Sequence, residues 1–376
     1  MSSALTDLLP HPIVQAPMAG GPSGPRLAAA VSDAGGLGFL AAGYKTADGM
    51  YQEIKQLRGL TGRPFGVNVF VPQPEHPGAS TGSTGAAHTT PPSGAVDLYA
   101  QQLAGEATWY DTELGDPECG RDDGYDVKLA VLLDDPVPVV SFHFGVPTRE
   151  VIDSLHRVGT FALVTATTVE EARAVQRAGA DAVIAQGVEA GGHQGTHRDL
   201  PENDGAGIGV LSLVAQIREA VNLPIVAAGG IMRGGQIAAV LAAGASAAQL
   251  GTAFLTTPES GAHPLHKQAL TDPLFPHTEL TRAFSGRPAR GLVNRFMREH
   301  GPYAPPAYPE VHHLVSPLRK AAAEAGDPQG MALWAGQGHR MARELPAGQL
   351  VELLAAELDA ARTALSAHRP SGGDVL

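Results

Sequence analysis

A histidine set among glycines is the strongest chemical signal in this sequence. Ala190-Gly191-Gly192-His193 follows the apolar run Val183-Ile184-Ala185-Gln186-Gly187. Imidazole is the side chain best matched to proton transfer near neutral pH. Glycines beside it let a ligand approach bare backbone N–H groups. A second signal of the same kind is Pro224-Ile225-Val226-Ala227-Ala228-Gly229-Gly230-Ile231, followed by Ala248-Gln249-Leu250-Gly251-Thr252. Each reads as a buried strand that stops at small residues, an arrangement suited to a phosphate or a flat ring. Asn68 and Gln186 add amides with both donors and acceptors. They suit the edge of an isoalloxazine ring, and equally could tie down neighbouring loops. Any one of these glycines alone reads as a tight turn; their joint placement carries the argument.

Other histidines divide. His143 lies between Phe142 and Phe144 and is expected to pack against rings, with a supporting place at a substrate pocket. His193 and His197 invite a metal reading, but no third ligand of suitable spacing accompanies them, and catalytic zinc wants three. No metal is therefore expected. His263, His266 and His277 are expected at the surface. Cys119 sits in the charged stretch Asp116-Pro117-Glu118-Cys119-Gly120-Arg121 and reads as incidental.

The elements that must position these residues alternate. Short apolar strands are expected at 13–16, 37–41, 65–71, 139–142, 161–165, 182–185, 225–228 and 247–250. Helical spacing falls between them at 25–34, 47–57, 148–157, 169–178, 211–221 and 235–243, with further helical pieces at 96–114 and 126–133. Strand–helix alternation predicts parallel strands, and eight such units in roughly 250 residues match a TIM (β/α)8 barrel. A doubly wound open sheet is the rival. In a barrel the site is built at the C-terminal strand ends, where Asn68, His143, Gln186 to His193, Gly229, Gly230 and Gln249 to Thr252 fall. Two segments break the rhythm. Residues 72–94 are rich in Pro, Gly, Ser and Thr and read as a flexible insertion. After residue 260 a C-terminal helical extension is expected, with helices near 316–325, 330–343 and 349–366.

Composition bounds the function. The chain has 376 residues, 43% hydrophobic and 17% charged, as in a soluble globular protein. A net charge of −12 with no basic stripe argues against a nucleic-acid partner. One cysteine excludes an internal disulfide and a multi-cysteine metal site. The first residues lack signal-peptide character, and 237–255, though apolar, is rich in Ala and Gly and reads as a packed helix and strand. The expectation is a cytoplasmic protein with no membrane partner; self-association is left open.

Four stretches together resemble the nitronate monooxygenases, formerly 2-nitropropane dioxygenases, in their class I branch. They are Gln15-Ala16-Pro17-Met18-Ala19-Gly20 with the Ala-rich run at 27–38, Pro64-Phe65-Gly66-Val67-Asn68-Val69-Phe70, Val140-Ser141-Phe142-His143-Phe144-Gly145, and 186–196. Ser285-Gly286-Arg287-Pro288-Ala289-Arg290-Gly291 adds to the likeness. The resemblance implies FMN, with Met18, Asn68, Gln186, Gly191, Gly192, Gly229, Gly230, Gln249, Leu250, Gly251 and Thr252 at the cofactor. It implies His193 as the catalytic residue, with His143 and Ser285 as substrate-pocket candidates. Residues 1–260 would then form the FMN barrel, and 261–376 a helical extension packed on it. Gln194 stands where an arginine is common in the family. The implied reaction oxidises a nitronate, such as propionate 3-nitronate, or a nitroalkane with O2, giving a carbonyl compound and nitrite. An NAD(P)H-dependent FMN quinone or enoyl reductase is the first rival. A non-catalytic barrel that binds a phosphorylated ligand is the second.

Overall fold

The computed structural model describes residues 5–72, 94–120, 122–199 and 207–367. The chain runs through β1 (Ile13–Gln15), α1 (Pro25–Asp33), β2 (Gly38–Ala41), α2 (Ala47–Leu60), β3 (Phe65–Phe70), α3 (Ala95–Gln102), α4 (Ala104–Trp109), α5 (Tyr125–Asp134) and β4 (Val139–His143). Then come α6 (Arg149–Arg157), β5 (Phe161–Ala166), α7 (Val169–Ala178), β6 (Ala182–Gln186), β7 (Gly192–His193), α8 (Val210–Ala220), β8 (Ile225–Ala228), α9 (Gly234–Ala242) and β9 (Ala247–Leu250). The remainder holds α10 (Thr252–Leu255), α11 (Pro264–Ala269), β10 (Thr278–Thr281), β11 (Ala289–Leu292), α12 (Arg295–His300), α13 (Glu310–Glu324) and α14 (Ala347–Ala367).

Eight strands pair in parallel in the order β1-β9-β8-β6-β5-β4-β3-β2. The ring closes between its ends: Gln15 N donates to Leu37 O at 2.9 Å and Leu37 N to Ile13 O at 3.0 Å. This is the expected (β/α)8 barrel. Side chains alternate along each strand. Val139, Leu163, Ala182, Ile184, Val226, Ala228 and Ala247 share one buried cluster with Phe39, which fills the barrel. Their neighbours Val140, Val164, Val183, Ala185, Ile225, Ala227 and Ala248 join the cluster between strands and helices.

Phe39 also explains a glycine. A Cβ at Gly66 would overlap the Phe39 ring. Gly66→Ala is therefore expected to destabilise the barrel by about 1–3 kcal/mol through overpacking, seen as a lower thermal midpoint.

The polypeptide after residue 260 is helical in large part, with two differences from expectation. First, β10 and β11 form an antiparallel sheet with β7, pairing Ala289 with His193 and Arg290 with Gly192. Second, 330–343 holds no α-helix; it crosses the barrel rim, largely extended, with one 3-10 turn at His339–Met341. Its first half bonds to the rim: Ala335 N donates to Arg290 O at 3.2 Å, Gly336 N to Thr252 Oγ1 at 2.9 Å and Gln337 N to Glu189 O at 3.0 Å; the 3-10 turn closes on itself. Gly336 permits this closeness, because a Cβ there would lie 2.9 Å from Glu189 O.

The final helix rejoins the barrel. α14 packs on α9 and α1, burying Leu350, Val351, Leu354 and Leu358 in the strand–helix cluster. Gly234 N donates to Glu357 Oε2 at 2.8 Å, tying α9 to it. The outer ring is thus completed by a helix separated from its strand by residues 251–346. The insertion expected at 72–94 lies, but for its two ends, outside the described residues. Among the described residues no helix is long and apolar enough to cross a membrane.

Candidate active site

The inward alternation that fills the barrel floor with apolar groups continues upward into polar ones. Asn68, Thr165, Gln186 and Gln249 stand two residues beyond Gly66, Leu163, Ile184 and Ala247 on their strands, so they face the same interior at its C-terminal end. Above them opens a cavity of about 530 Å³, lined also by Met18, Gly191–His193, Gly229, Gly230, Gly251 and Thr252. Pockets for small ligands and cofactors span about 300–1,000 Å³.

Each expected residue has a definable place. Met18 lines the cavity, and its loop is cinched by Ser23: Met18 N donates to Ser23 Oγ at 2.8 Å and Ser23 N to Met18 O at 3.2 Å. Asn68 Nδ2 donates to Ser141 Oγ at 3.0 Å and Ser141 O at 3.2 Å. Gln186 spends both ends of its amide on the histidine loop, donating to His193 O at 3.1 Å and accepting from Gly195 N at 2.7 Å. Gln249 differs: its Oε1 is buried and has no hydrogen-bond partner among the described residues. A buried, unanswered acceptor on a cavity wall marks a place where a ligand N–H belongs. Gly229 and Gly230 take φ of +132° and +66°, open only to glycine at low cost. Gly191 serves packing as well, since a Cβ there would lie 2.5 Å from the Ala335 carbonyl carbon. Leu250 is the exception. Strand alternation turns its side chain outward into the strand–helix cluster, and its carbonyl accepts from Ala16 N at 2.8 Å.

His193 is held from several sides. Its strand pairs with β11, and Nε2 lies 2.9 Å from Ser285 Oγ. Ser285 sits in a turn in which Gly286 N donates to Arg282 O at 2.8 Å, and the Arg282 guanidinium grips Asp199 at 2.6 and 2.8 Å. Phe144, Tyr308 and Trp334 surround the imidazole, each with ring centroids 5.7 Å away. Burial, then the Arg287 charge, hold the His193 pKa well below its ordinary 6.5, so the ring is neutral. The same causes push His143 down to about 3. His143 Nδ1 lies 3.2 Å from Thr165 Oγ1, beside the Phe144 ring at 4.5 Å. His197 is occupied structurally, donating from Nε2 to Thr165 O at 2.7 Å.

One histidine departs from expectation. His266 is buried, not at the surface, because α11 packs under the 330–343 crossing; its Nε2 lies 3.0 Å from Trp334 O. Burial pushes its pKa down to about 4. His263 and His277 are exposed as expected, and so is Cys119.

The roof of the site was not readable from motifs. Tyr44, with φ of +65°, stacks on His312 at 3.9 Å, and its hydroxyl meets that of Tyr308 at 3.2 Å. Burial raises the Tyr44 pKa to about 12 and also raises that of Tyr308, so both hydroxyls keep their protons. Arg287 lies over Phe144 at 4.1 Å, and Arg319 lines the cavity. The available signal was the aromatic and histidine-rich run 303–313 in a chain only 5% aromatic.

The chain is similar to known proteins along nearly its whole length. Residues 2–357 match the family model described as nitronate monooxygenase. The chain is 43% identical over 363 residues to a nitronate monooxygenase of Pseudomonas aeruginosa, covering 95% of this chain and 99% of that one. It is 38% identical to a probable nitronate monooxygenase of Staphylococcus aureus, over 91% of this chain and 92% of the relative. Among solved structures, a nitroalkane oxidase from Streptomyces ansochromogenes superposes with TM-score 0.91 at 79% identity, covering 96% of this chain and 100% of that one. FabK from Thermotoga maritima superposes with TM-score 0.71 at 30% identity, covering 97% and 98%. The chain belongs to the nitronate monooxygenase family, a family of enzymes.

Proposed function

We propose that this protein uses FMN and O2 to oxidise nitronates, and more slowly neutral nitroalkanes, to carbonyl compounds and nitrite. The observation that carries the reading is a neutral, ring-enclosed His193 at a cavity whose wall presents the unanswered Gln249 acceptor. The residues fit a flavin. Gly229, Gly230, Gly251 and Thr252 would take the phosphate, by backbone approach. Asn68 and Gln249 would meet the ring edge, while Gln186 fixes the His193 loop. When bound, FMN would supply the redox chemistry of nitronate oxidation, with O2 as co-substrate.

The protein's part is proton handling and orientation. The Ser285 hydroxyl lies 3.3 Å from Arg287 O as well as 2.9 Å from His193 Nε2. When it donates to Arg287 O, it accepts Nε2–H, and Nδ1 carries the lone pair that can take a proton from the carbon beside a nitro group. When it donates to Nε2, Nδ1–H can instead donate to a nitronate oxygen. One hydroxyl rotation thus serves either substrate. A depressed pKa makes His193 a weak base, which favours the preformed nitronate.

The sign of the pH dependence follows. The neutral ring is the active form, so activity is lost only as pH falls through the lowered pKa. For nitroalkanes, kcat/KM should show no inflection at the ordinary histidine value of 6.5; a pH–rate profile checks this.

A visible spectrum and an anaerobic titration test the reading. A yellow protein bleached by nitronate, and not by NADH or NADPH, supports it. Bleaching by the nicotinamides alone supports the reductase, and colourless protein that takes up no FMN supports the binding barrel.

A further inference from the structure

We infer that the Asp123–Lys128 ion pair positions the catalytic roof: it holds the Tyr44 backbone and, through Tyr44, the ring that flanks His193. This rests on the nitronate reading above and adds to it two residues that are not on the cavity wall.

Lys128 is fully buried, and lysine is almost never so unless paired. It lies in α5, whose other buried residues are Leu129 and Leu132. Its ammonium donates to Asp123 Oδ2 at 2.7 Å and to Ala42 O, just past the end of β2, at 3.0 Å. The other oxygen of the same carboxylate, Oδ1, accepts from Tyr44 N at 2.9 Å. One carboxylate thus joins the start of α5 to the loop that leaves β2. Such a pair is weak evidence for stability, because an apolar pair of similar volume often serves a fold as well. Its use here lies in what it fixes.

What it fixes is strained. Among the described residues four non-glycine residues take a positive φ: Tyr44 at +65°, Asp111 at +47°, Asp123 at +53° and Phe144 at +72°. Two of the four, Tyr44 and Asp123, are hydrogen-bonded to each other, and a third, Phe144, packs on the rings of His193 and Tyr308. Left-handed backbone at a non-glycine residue costs about 1–3 kcal/mol and persists where its surroundings over-determine it. The Asp123 carboxylate supplies that hold for Tyr44. Gly43 lets the loop pass close over β3, since a Cβ there would overlap the Phe70 ring.

The side chain placed by this conformation roofs the site. Tyr44 stacks on His312 at 3.9 Å, and its hydroxyl lies 3.2 Å from that of Tyr308, whose ring centroid is 5.7 Å from the His193 imidazole. With Tyr44 N released, the backbone can relax to negative φ, which swings the ring off His312 and frees Tyr308. His193 would then lose one wall of its enclosure, and with it the orientation the reacting carbon requires.

The test is a mutant cycle on the FMN-loaded enzyme. Asp123→Ala together with Lys128→Met removes both charges, so no lone charge stays buried, and this paired replacement is combined with Tyr44→Ala. Nitrite release from a nitronate gives kcat and KM, and the thermal midpoint and FMN dissociation constant are measured in parallel. The paired replacement should lower kcat/KM by about 10- to 100-fold, the worth of a hydrogen bond to a charged group, with FMN affinity unchanged. Tyr44→Ala should show a loss of the same order, and adding the paired replacement to it should cost nothing more. Losses that multiply, or an unchanged kcat/KM in the paired replacement, overturn the assignment. Asp123→Asn is the milder arm, should the paired replacement fail to fold: it keeps an acceptor and loses the charge. Its loss should be about three- to tenfold and should likewise vanish in the Tyr44→Ala background; no loss, or one that persists there, overturns the role of the pair. Wild type that releases nitrite from no nitronate instead overturns the functional reading on which the assignment rests.

Discussion

Replacing His193 with Asn should leave the flavin bound and lower kcat/KM for neutral nitroalkanes by about 10²- to 10⁴-fold, the usual worth of a positioned general base. Preformed nitronates should lose no more than about tenfold, the worth of a hydrogen bond. The difference arises because only a nitroalkane must give up a carbon-bound proton. Asparagine keeps a polar side chain beside Ser285 but has no lone pair of comparable basicity. Gln186 bonds the His193 carbonyl and the Gly195 amide, not the imidazole, so the loop should survive the change. Steady-state nitrite assays with each substrate, together with the flavin-to-protein absorbance ratio, measure it. Equal losses with both substrates would remove the base assignment and leave His193 as an anion binder.

Truncation after residue 346 should abolish folding. α14 buries Leu350, Val351, Leu354 and Leu358, each no more than 2% exposed. At about 1.5–3 kcal/mol per buried aliphatic side chain, the four contribute about 6–12 kcal/mol. The whole stability of a domain is about 5–15 kcal/mol. Loss of the helix would also strip the Glu357 contacts to Gly234 and Arg343 and expose the apolar flanks of α1 and α9. The expected result is insoluble protein, or soluble protein without a cooperative melt. A truncated chain that melts as the full chain does would show that the outer ring is complete without α14.

Much of the barrel was legible because its determinants are local. Ile225 to Ala228 and Ala182 to Gln186 are short apolar runs bounded by turn residues, and their period places Gln186 on the inner face once the strand is known. The glycines at 191, 192, 229 and 230 marked the rim for the same reason. What escaped depends on contacts distant in sequence. β7 is two residues long and has no period to read; it exists because β11 pairs with it nearly a hundred positions later. The 330–343 segment carries helical spacing, but the N–H groups of Ala335, Gly336 and Gln337 find partners on Arg290, Thr252 and Glu189 instead. His266 looked like a surface residue until Trp334 covered it. Tyr44, Tyr308, His312 and Arg319 form no motif, and only the return of α13 across the strand ends brings them to His193.

Nitrite release measures the central claim most directly. Purified protein loaded with FMN is mixed with a nitronate in air-saturated buffer lacking NADH and NADPH, and nitrite and oxygen are followed together. The account predicts catalytic nitrite formation with matched oxygen uptake, strongly reduced for nitroalkanes by Asn at position 193. Flavin-loaded protein that consumes no oxygen and yields no nitrite from any nitronate would contradict it.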